Sequence, residues 1–114
     1  MTCIFCRIAR GEVPAKVVHQ DDDVVAFHDI SPQAPVHVLV IPRRHIASAA
    51  DLTAEDRSLA GALFTAAARV AELTGIAAAG YRILSNVREN GGQEVPHLHI
   101  HVVGGRRLGR MLPG

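Results

Sequence analysis

The sequence predicts an α+β fold: five antiparallel strands in one sheet, one long helix and a short N-terminal helix. Three observations lead to this prediction. Residues 97–103 alternate between histidine and apolar side chains, which is the period of a strand. Three aspartates at residues 21–23 separate two short strand-like segments, as in a hairpin. Apolar residues recur at spacings of three and four over residues 59–73, which is the period of a helix.

The length, net charge and apolar content of the chain limit the class of protein to which it belongs. At 114 residues we predict a single domain over residues 1–114. The formal net charge is only +1 and the basic residues are dispersed, which argues against a nucleic-acid partner. No run of apolar residues is long enough to span a membrane. No basic segment precedes an apolar one at the N-terminus, so we predict no secretory signal and a cytoplasmic location.

The first half of the chain predicts one short helix and three strands. Gly11 ends the helix, and a proline-containing loop at residues 29–35 precedes the third strand. That strand is almost wholly apolar and therefore central in the sheet. Its one polar residue, His37, is consistent with a hydrogen-bonded core histidine or with a functional one. We predict the helix over residues 4–10 and the strands over residues 16–20, 24–28 and 36–41.

The second half predicts the long helix and two further strands. Thr53 is a good N-cap with Asp56 three residues later, and Gly75 ends the helix. A strand over residues 81–86 and a loop over residues 87–92 follow, and the tail from residue 106 is irregular. The core-facing stripe of the helix consists of Leu59, Leu63, Ala66, Val70 and Leu73.

The histidine-rich segment is the main functional signal. His97, His99 and His101 alternate with apolar residues, so a strand places all three imidazoles on one face. We predict that this strand begins after Pro96 and ends at the glycines of residues 104–105. The face is a solvated surface, a metal site, or a site in which one imidazole attacks phosphorus while its neighbours hold anionic oxygens. The segment alone does not choose between the last two.

Two cysteines form a C-x-x-C pair at the start of the chain. A structural disulfide is disfavoured in a reducing compartment. Cys3 and Cys6 are either small buried apolar side chains or half of a zinc site that needs two further ligands.

Several motifs together resemble the histidine-triad (HIT) family. They are HVLVIPRRH at residues 37–45, Asn86, and GGQEVPHLHIHVV at residues 91–103. CIFC at residues 3–6 and FHDI at residues 27–30 are similar to its Hint-like branch of nucleotide-binding phosphoramidases. The resemblance covers residues 3–105. It implies a five-stranded antiparallel sheet, a homodimer whose sheets join, and hydrolysis or transfer at the α-phosphate of a purine nucleotide conjugate.

The resemblance also implies roles for particular residues. His99 is the nucleophile that becomes nucleotidylated, and His37, His97 and His101 are the other catalytic histidines at the phosphate. Asp29 holds the ribose hydroxyls. Glu94 stands where the branch often has serine, at a position tied to protonation of the departing amine. The nucleotide-binding residues are His28, Asp29, Ile30, Asn86, Gln93, Glu94, Val95, His99 and His101.

Members of the family with an N-terminal C-x-x-C pair imply a structural zinc. Here its ligands are Cys3, Cys6, His45 and His97, a closed Cys₂His₂ set. No organic cofactor is implied. Two alternatives to the phosphoramidase remain open, a hydrolase of dinucleoside polyphosphates and a nucleotide-binding interaction module with incidental catalysis.

Overall fold

The computed structural model describes residues 3–112, so residues 1, 2, 113 and 114 of the predicted domain lie outside the described residues. The fold class is confirmed. The elements are α1 (Ile4–Ala9), β1 (Val17–Gln20), β2 (Val24–His28), β3 (Val36–Pro42), α2 (Arg57–Leu73), β4 (Tyr81–Leu84), α3 (Arg88–Gly91) and β5 (Ile100–Gly104). Among the described residues, no helix has both the length and the apolar composition that a membrane crossing requires.

The five strands form one antiparallel sheet in the order β1-β2-β3-β5-β4. β3 is central, as its apolar sequence predicts, and β5 lies beside it although about 60 residues separate them in the chain. In this register His37 is opposite Val103 and Leu39 is opposite His101. His37 and His101 are therefore diagonal neighbours on one face of the sheet, within reach of each other.

The two faces of the sheet carry separate hydrophobic clusters. Under α2 lie Val38, Val40 and the apolar members of the histidine-rich segment, Leu98, Ile100 and Val102. On the opposite face α1 covers a smaller cluster, which contains Phe5, Ala9, Val25, Phe27, Leu39 and Ile41. The apolar residues of the histidine-rich segment therefore face α2, and its histidines share the opposite face, the one that α1 covers.

The structure corrects two details of the long helix. Leu73 does not belong to the core-facing stripe, because its place in the last turn leaves it 47% exposed, and Ala67 and Ala71 are buried instead. The helix also begins later than predicted. Thr53 and Asp56 do pair, with the Thr53 N–H donating to the Asp56 carboxylate at 2.9 Å, but they enclose a 3₁₀ turn and α2 starts at Arg57.

The histidine strand is shorter than predicted. Its ladder begins at Ile100 and not after Pro96, because the last residue of β3 that pairs with β5 is Val40. Residues 97–99 therefore precede the paired strand. The predicted loop at residues 87–92 also contains the one-turn helix α3.

Candidate functional site

His99 is buried on the α1 face, and its ring is hydrogen-bonded to a backbone carbonyl. Its Nδ1 lies 2.7 Å from the carbonyl oxygen of His97. Because a carbonyl oxygen only accepts, Nδ1 carries the hydrogen in this contact. In the neutral ring the lone pair then belongs to Nε2, which is the atom available as a nucleophile.

Contacts from outside the sheet hold the backbone around His99. The Ser85 hydroxyl donates to the carbonyl of His99 at 2.7 Å. The Leu98 N–H donates to the carbonyl of Ile46 at 2.6 Å. The sequence gives no sign of this role for Ser85, because a serine at the end of a strand does not indicate which carbonyl its hydroxyl will meet.

His37 and His101 form a directed chain of hydrogen bonds. The backbone N–H of Gln33 donates to His37 Nδ1 at 3.0 Å, so the neutral His37 ring carries its hydrogen on Nε2. That Nε2 lies 2.9 Å from His101 Nδ1 and donates to it. His101 then carries its own hydrogen on Nε2, which is buried and has no protein partner among the residues that the structure describes. The rings of His99 and His101 are 5.0 Å apart.

Burial keeps these rings neutral. It lowers the pKa of His37, with the carboxylate of Asp29 opposing the effect and His99 adding to it. Burial, followed by repulsion from His99 and His37, lowers the pKa of His101 to about 4. At neutral pH the pair therefore offers N–H donors and no fixed positive charge.

Asp29 lies at the edge of this group. Its Oδ1 accepts the Ser31 N–H at 2.8 Å, and its Oδ2 lies 3.5 Å from His37 Nε2. Next to it His28 is exposed, and Ile30 is 97% exposed, which is unusual for so large an apolar side chain. The structure therefore places a carboxylate between the imidazoles and an open apolar side chain.

The loop before the histidines is held together by Gln93. Its side-chain oxygen accepts the Arg88 N–H at 2.8 Å, and its amide nitrogen donates to the carbonyls of Ala47 and Val95 at 2.7 and 2.9 Å. Both amide hydrogens are thus used inside the protein, and neither points to the imidazole pair. Of the other candidates, Glu94 is exposed, Asn86 is half-buried, and Val95 packs against the Phe5 cluster.

A second group of side chains meets where α1, the end of β3 and residue 97 converge. Cys3, Cys6, His45 and His97 have ligand atoms that all lie within 4.8 Å of one another. His97 Nδ1 is 3.3 Å from the Cys3 sulfur, 3.5 Å from the Cys6 sulfur and 3.2 Å from His45 Nδ1. In a tetrahedral zinc site adjacent ligand atoms are about 3.3–3.8 Å apart. The four residues predicted from sequence are therefore brought together at spacings that fit a zinc ion.

His97 faces this cluster and not the imidazole pair. It is 0% exposed, and its Nε2–H donates to the carbonyl of Pro42 at 2.9 Å, which leaves the lone pair of Nδ1 for the cluster. Both nitrogens of His97 are therefore engaged away from His37 and His101, and its implied place at the phosphate stays a prediction.

Phe5 is the aromatic neighbour of the site that sequence analysis missed. Its ring centroid lies 5.2 Å from that of His99, with the planes at 86°, and 5.9 Å from that of His97. The sequence signal for this contact was the position of Phe5 between Cys3 and Cys6. Two side chains that belong to one cluster also restrict the residue between them.

The chain matches a family model, curated proteins and solved structures over most of its length. The model of the HIT domain family matches residues 10–108. A purine nucleoside phosphoramidase from Escherichia coli K12 is 51% identical over 109 residues, which are 96% of this chain and 92% of the relative. A HIT family hydrolase from Legionella pneumophila superposes with a TM-score of 0.94 at 45% identity, covering 99% of this chain and 100% of the other. A HIT family hydrolase from Clostridium thermocellum gives 0.95 at 41% identity, covering 97% of each chain.

The lowered pKa of His101 predicts that the folded protein loses stability in acid. Since the folded pKa of about 4 lies below the ordinary value of 6.5, the unfolded chain binds the extra proton between these values. The contribution of His101 to stability is complete above about pH 6.5 and is lost as the pH falls towards 4. Because part of the ring reaches water, we expect a loss of about 2 kcal/mol in the free energy of unfolding.

Urea unfolding of the native chain and His101→Asn at several pH values measures this loss. The variant should show the smaller acid slope. Both chains keep His37, His99 and Asp29 around the position and retain the cysteine–histidine cluster, so the difference belongs to His101. His28→Asn, which removes an exposed ring, should keep the native slope. Equal slopes in His101→Asn and the native chain would contradict the prediction.

Proposed function

This chain belongs to the HIT family, and we propose that it is a hydrolase that releases nucleoside monophosphates from purine nucleoside phosphoramidates. The Escherichia coli relative is named for that activity. The observation that carries the proposal is the hydrogen bond from His99 Nδ1 to the carbonyl of His97, which in the neutral ring leaves the lone pair on Nε2.

The chemistry that follows has two displacements at phosphorus. His99 Nε2 attacks the α-phosphorus, the bond from phosphorus to the leaving nitrogen breaks, and the departing amine takes up a proton. Water then attacks the phospho-imidazole and releases a proton to solvent, which replaces the proton that the amine took from solvent. The bond to Nε2 breaks, and the nucleoside monophosphate leaves. The ring returns to its starting state because Nδ1 keeps its hydrogen throughout.

His101 and His37 support this reaction as donors. The hydrogen on His101 Nε2 has no partner among the described residues, and its ring is 5.0 Å from that of His99. A phosphate oxygen is the acceptor that would satisfy it as charge develops at phosphorus. His37 orients His101 through the 2.9 Å hydrogen bond, so we assign it a positioning role.

Asp29 and its neighbours form the proposed nucleoside site. A carboxylate can accept from both ribose hydroxyls, and the Asp29 oxygen nearest His37 makes only a 3.5 Å contact there. Ile30 and His28 extend beyond it as exposed side chains against which a purine can pack. We place Glu94 beside the leaving group, Asn86 and Val95 at the margin of the nucleotide site, and Gln93 as the residue that shapes the loop.

Loss of His99 should abolish hydrolysis. With an adenosine phosphoramidate as substrate, His99→Ala should reduce the release of AMP by a factor of about 10⁴ or more. His19→Ala should retain the native rate, because that imidazole pairs with Asp21 on the surface. Rapid quenching should trap a nucleotidyl adduct on the native chain and none on His99→Ala.

The same assay separates the alternative functions. Faster turnover of a diadenosine polyphosphate would indicate the dinucleoside polyphosphate hydrolase. Nucleotide binding without any adduct would indicate an interaction module and remove His99 from the nucleophilic role.

We further propose that Cys3, Cys6, His45 and His97 hold a structural zinc ion. Support comes from the donor set, from ligand spacings of 3.2–3.5 Å, and from the Pro42 carbonyl that fixes the His97 tautomer. When bound, the ion ties the N-terminus to the end of β3 and to residue 97. The cytoplasm, which we propose as the location, keeps both thiols reduced for this role.

Metal analysis tests this proposal. The purified chain should contain about one zinc per molecule, and His45→Asn should contain none. The variant should lose at least about 2 kcal/mol in the free energy of unfolding, because binding to the folded state alone stabilises it. His19→Asn serves as the matched imidazole control. Zinc retained in His45→Asn would contradict this ligand set.

We also propose a homodimer formed through α2 and β4. An apolar groove of about 280 Å³ lies there, lined by residues that include Leu52, Phe64 and Leu84. Phe64 is 58% exposed, and β4 is an edge strand of the sheet. A second copy of the chain can therefore cover Phe64 and pair with β4.

Sedimentation equilibrium tests the dimer. The native chain should be a dimer, and Phe64→Glu should be a monomer because it places a charge in the apolar groove. Leu73→Glu, on the same helix but outside the groove, should remain a dimer.

A further inference from the structure

The backbone that carries His99 lacks the support of the sheet. The β5 ladder begins at Ile100, so the pairing that fixes His101 does not reach residues 97–99. Among the residues that the structure describes, the ring of His99 makes one hydrogen bond, to the carbonyl of His97. A single hydrogen bond contributes little net free energy, so it does not by itself confine a ring that can turn about its last torsion. Packing against the ring must supply the rest.

Phe5 supplies that packing. Its ring meets His99 edge to face, at 5.2 Å between centroids and 86° between planes, and it is itself 7% exposed. Edge-to-face contact is a preferred arrangement of aromatic rings. A ring in this position restricts rotation of the imidazole, and rotation would exchange Nε2 for a carbon atom.

The cysteine–histidine cluster in turn holds Phe5. Cys3 and Cys6 flank it in sequence and both meet His97 Nδ1, at 3.3 and 3.5 Å. His97 also supplies the carbonyl to which the His99 ring donates. The cluster therefore reaches His99 by two routes, one through the ring of Phe5 and one through the backbone of residue 97.

We propose that Phe5, fixed by the cluster of Cys3, Cys6, His45 and His97, is a positioning residue for the His99 imidazole. It keeps the ring in the orientation and tautomer with hydrogen on Nδ1 and the lone pair of Nε2 facing the substrate. The proposal rests on His99 as the nucleophile of the proposed function. It assigns α1 a part in the reaction although no atom of Phe5 exchanges a proton or bond with the substrate.

Nitrogen-15 NMR of the imidazole rings tests the positioning directly. The signals of His99 are identified by their loss in His99→Gln. In the metal-loaded native chain they should show one species with hydrogen on Nδ1. Phe5→Leu should give a mixture of the two tautomers and slow single-turnover adduct formation roughly tenfold to a hundredfold. Treatment of the native chain with a metal chelator should produce the same mixture.

Phe27→Leu is the matched control. Phe27 is buried in the same hydrophobic cluster as Phe5, on the α1 face of the sheet, and the two ring centroids are 5.5 Å apart. Among the described residues, however, the Phe27 ring has no contact with an imidazole ring. The variant should keep the native His99 signals and adduct rate. Amide spectra of both variants establish that the sheet has formed before the comparison is made.

Each outcome decides the proposal. A mixture in Phe5→Leu and in the metal-free chain, with native signals in Phe27→Leu, supports it. Native signals in Phe5→Leu or in the metal-free chain overturn it, and so does an equal disturbance in Phe27→Leu, since that is a general loss of packing. If the native chain forms no adduct, the proposed function fails, while the tautomer measurement still decides the positioning.

Discussion

The hydrogen bond from the His99 ring to the carbonyl of His97 is the constraint on which the site depends. It determines which nitrogen carries the lone pair, and it exists only if that carbonyl is held at 2.7 Å from Nδ1. The carbonyl is held in turn by the His97 ring, which donates to Pro42, and by Leu98, which donates to Ile46. The orientation of one imidazole therefore depends on the end of β3 and on the loop that follows it.

His37 and His101, beside His99, form a chain of hydrogen bonds with a fixed donor direction and no positive charge. The chain of donors starts at the backbone amide of Gln33 and passes through His37 to the Nε2 hydrogen of His101, which has no partner within residues 3–112. Since the backbone amide cannot deprotonate, the polarity of the chain is fixed at its origin. Burial disfavours the charged form of both rings. At neutral pH the pair therefore offers directed hydrogen-bond donors and no positive charge.

The sequence predicts what depends on local pattern. Period-two alternation assigns the residues of the last strand to the correct faces, and the apolar run of β3 predicts its central place. The sequence does not predict contacts between residues that are far apart in the chain. The start of the β5 ladder is set by how far β3 runs alongside it, and the hydrogen-bond partners of Ser85 and Gln93 are carbonyls elsewhere in the chain. The family motif identified His99 and the cluster, but only the geometry separates the direction of the His97 ring from that of its neighbours.

The turn that follows β3 explains how so short a helix as α1 can cover the site. Six residues are too few for a helix that is stable alone, so α1 requires tertiary anchors. Arg43 supplies one at its C-terminal end, because its guanidinium donates to the carbonyl of Ala9 at 2.7 Å. His45 supplies another at its N-terminal end through the Cys6 sulfur at 3.3 Å. Pro42, the last residue of β3, accepts from His97. Residues 42–45 thus fix both α1, which covers His99, and His97, whose carbonyl accepts from the His99 ring. The orientation of that ring therefore depends on a segment that is distant from it in the sequence.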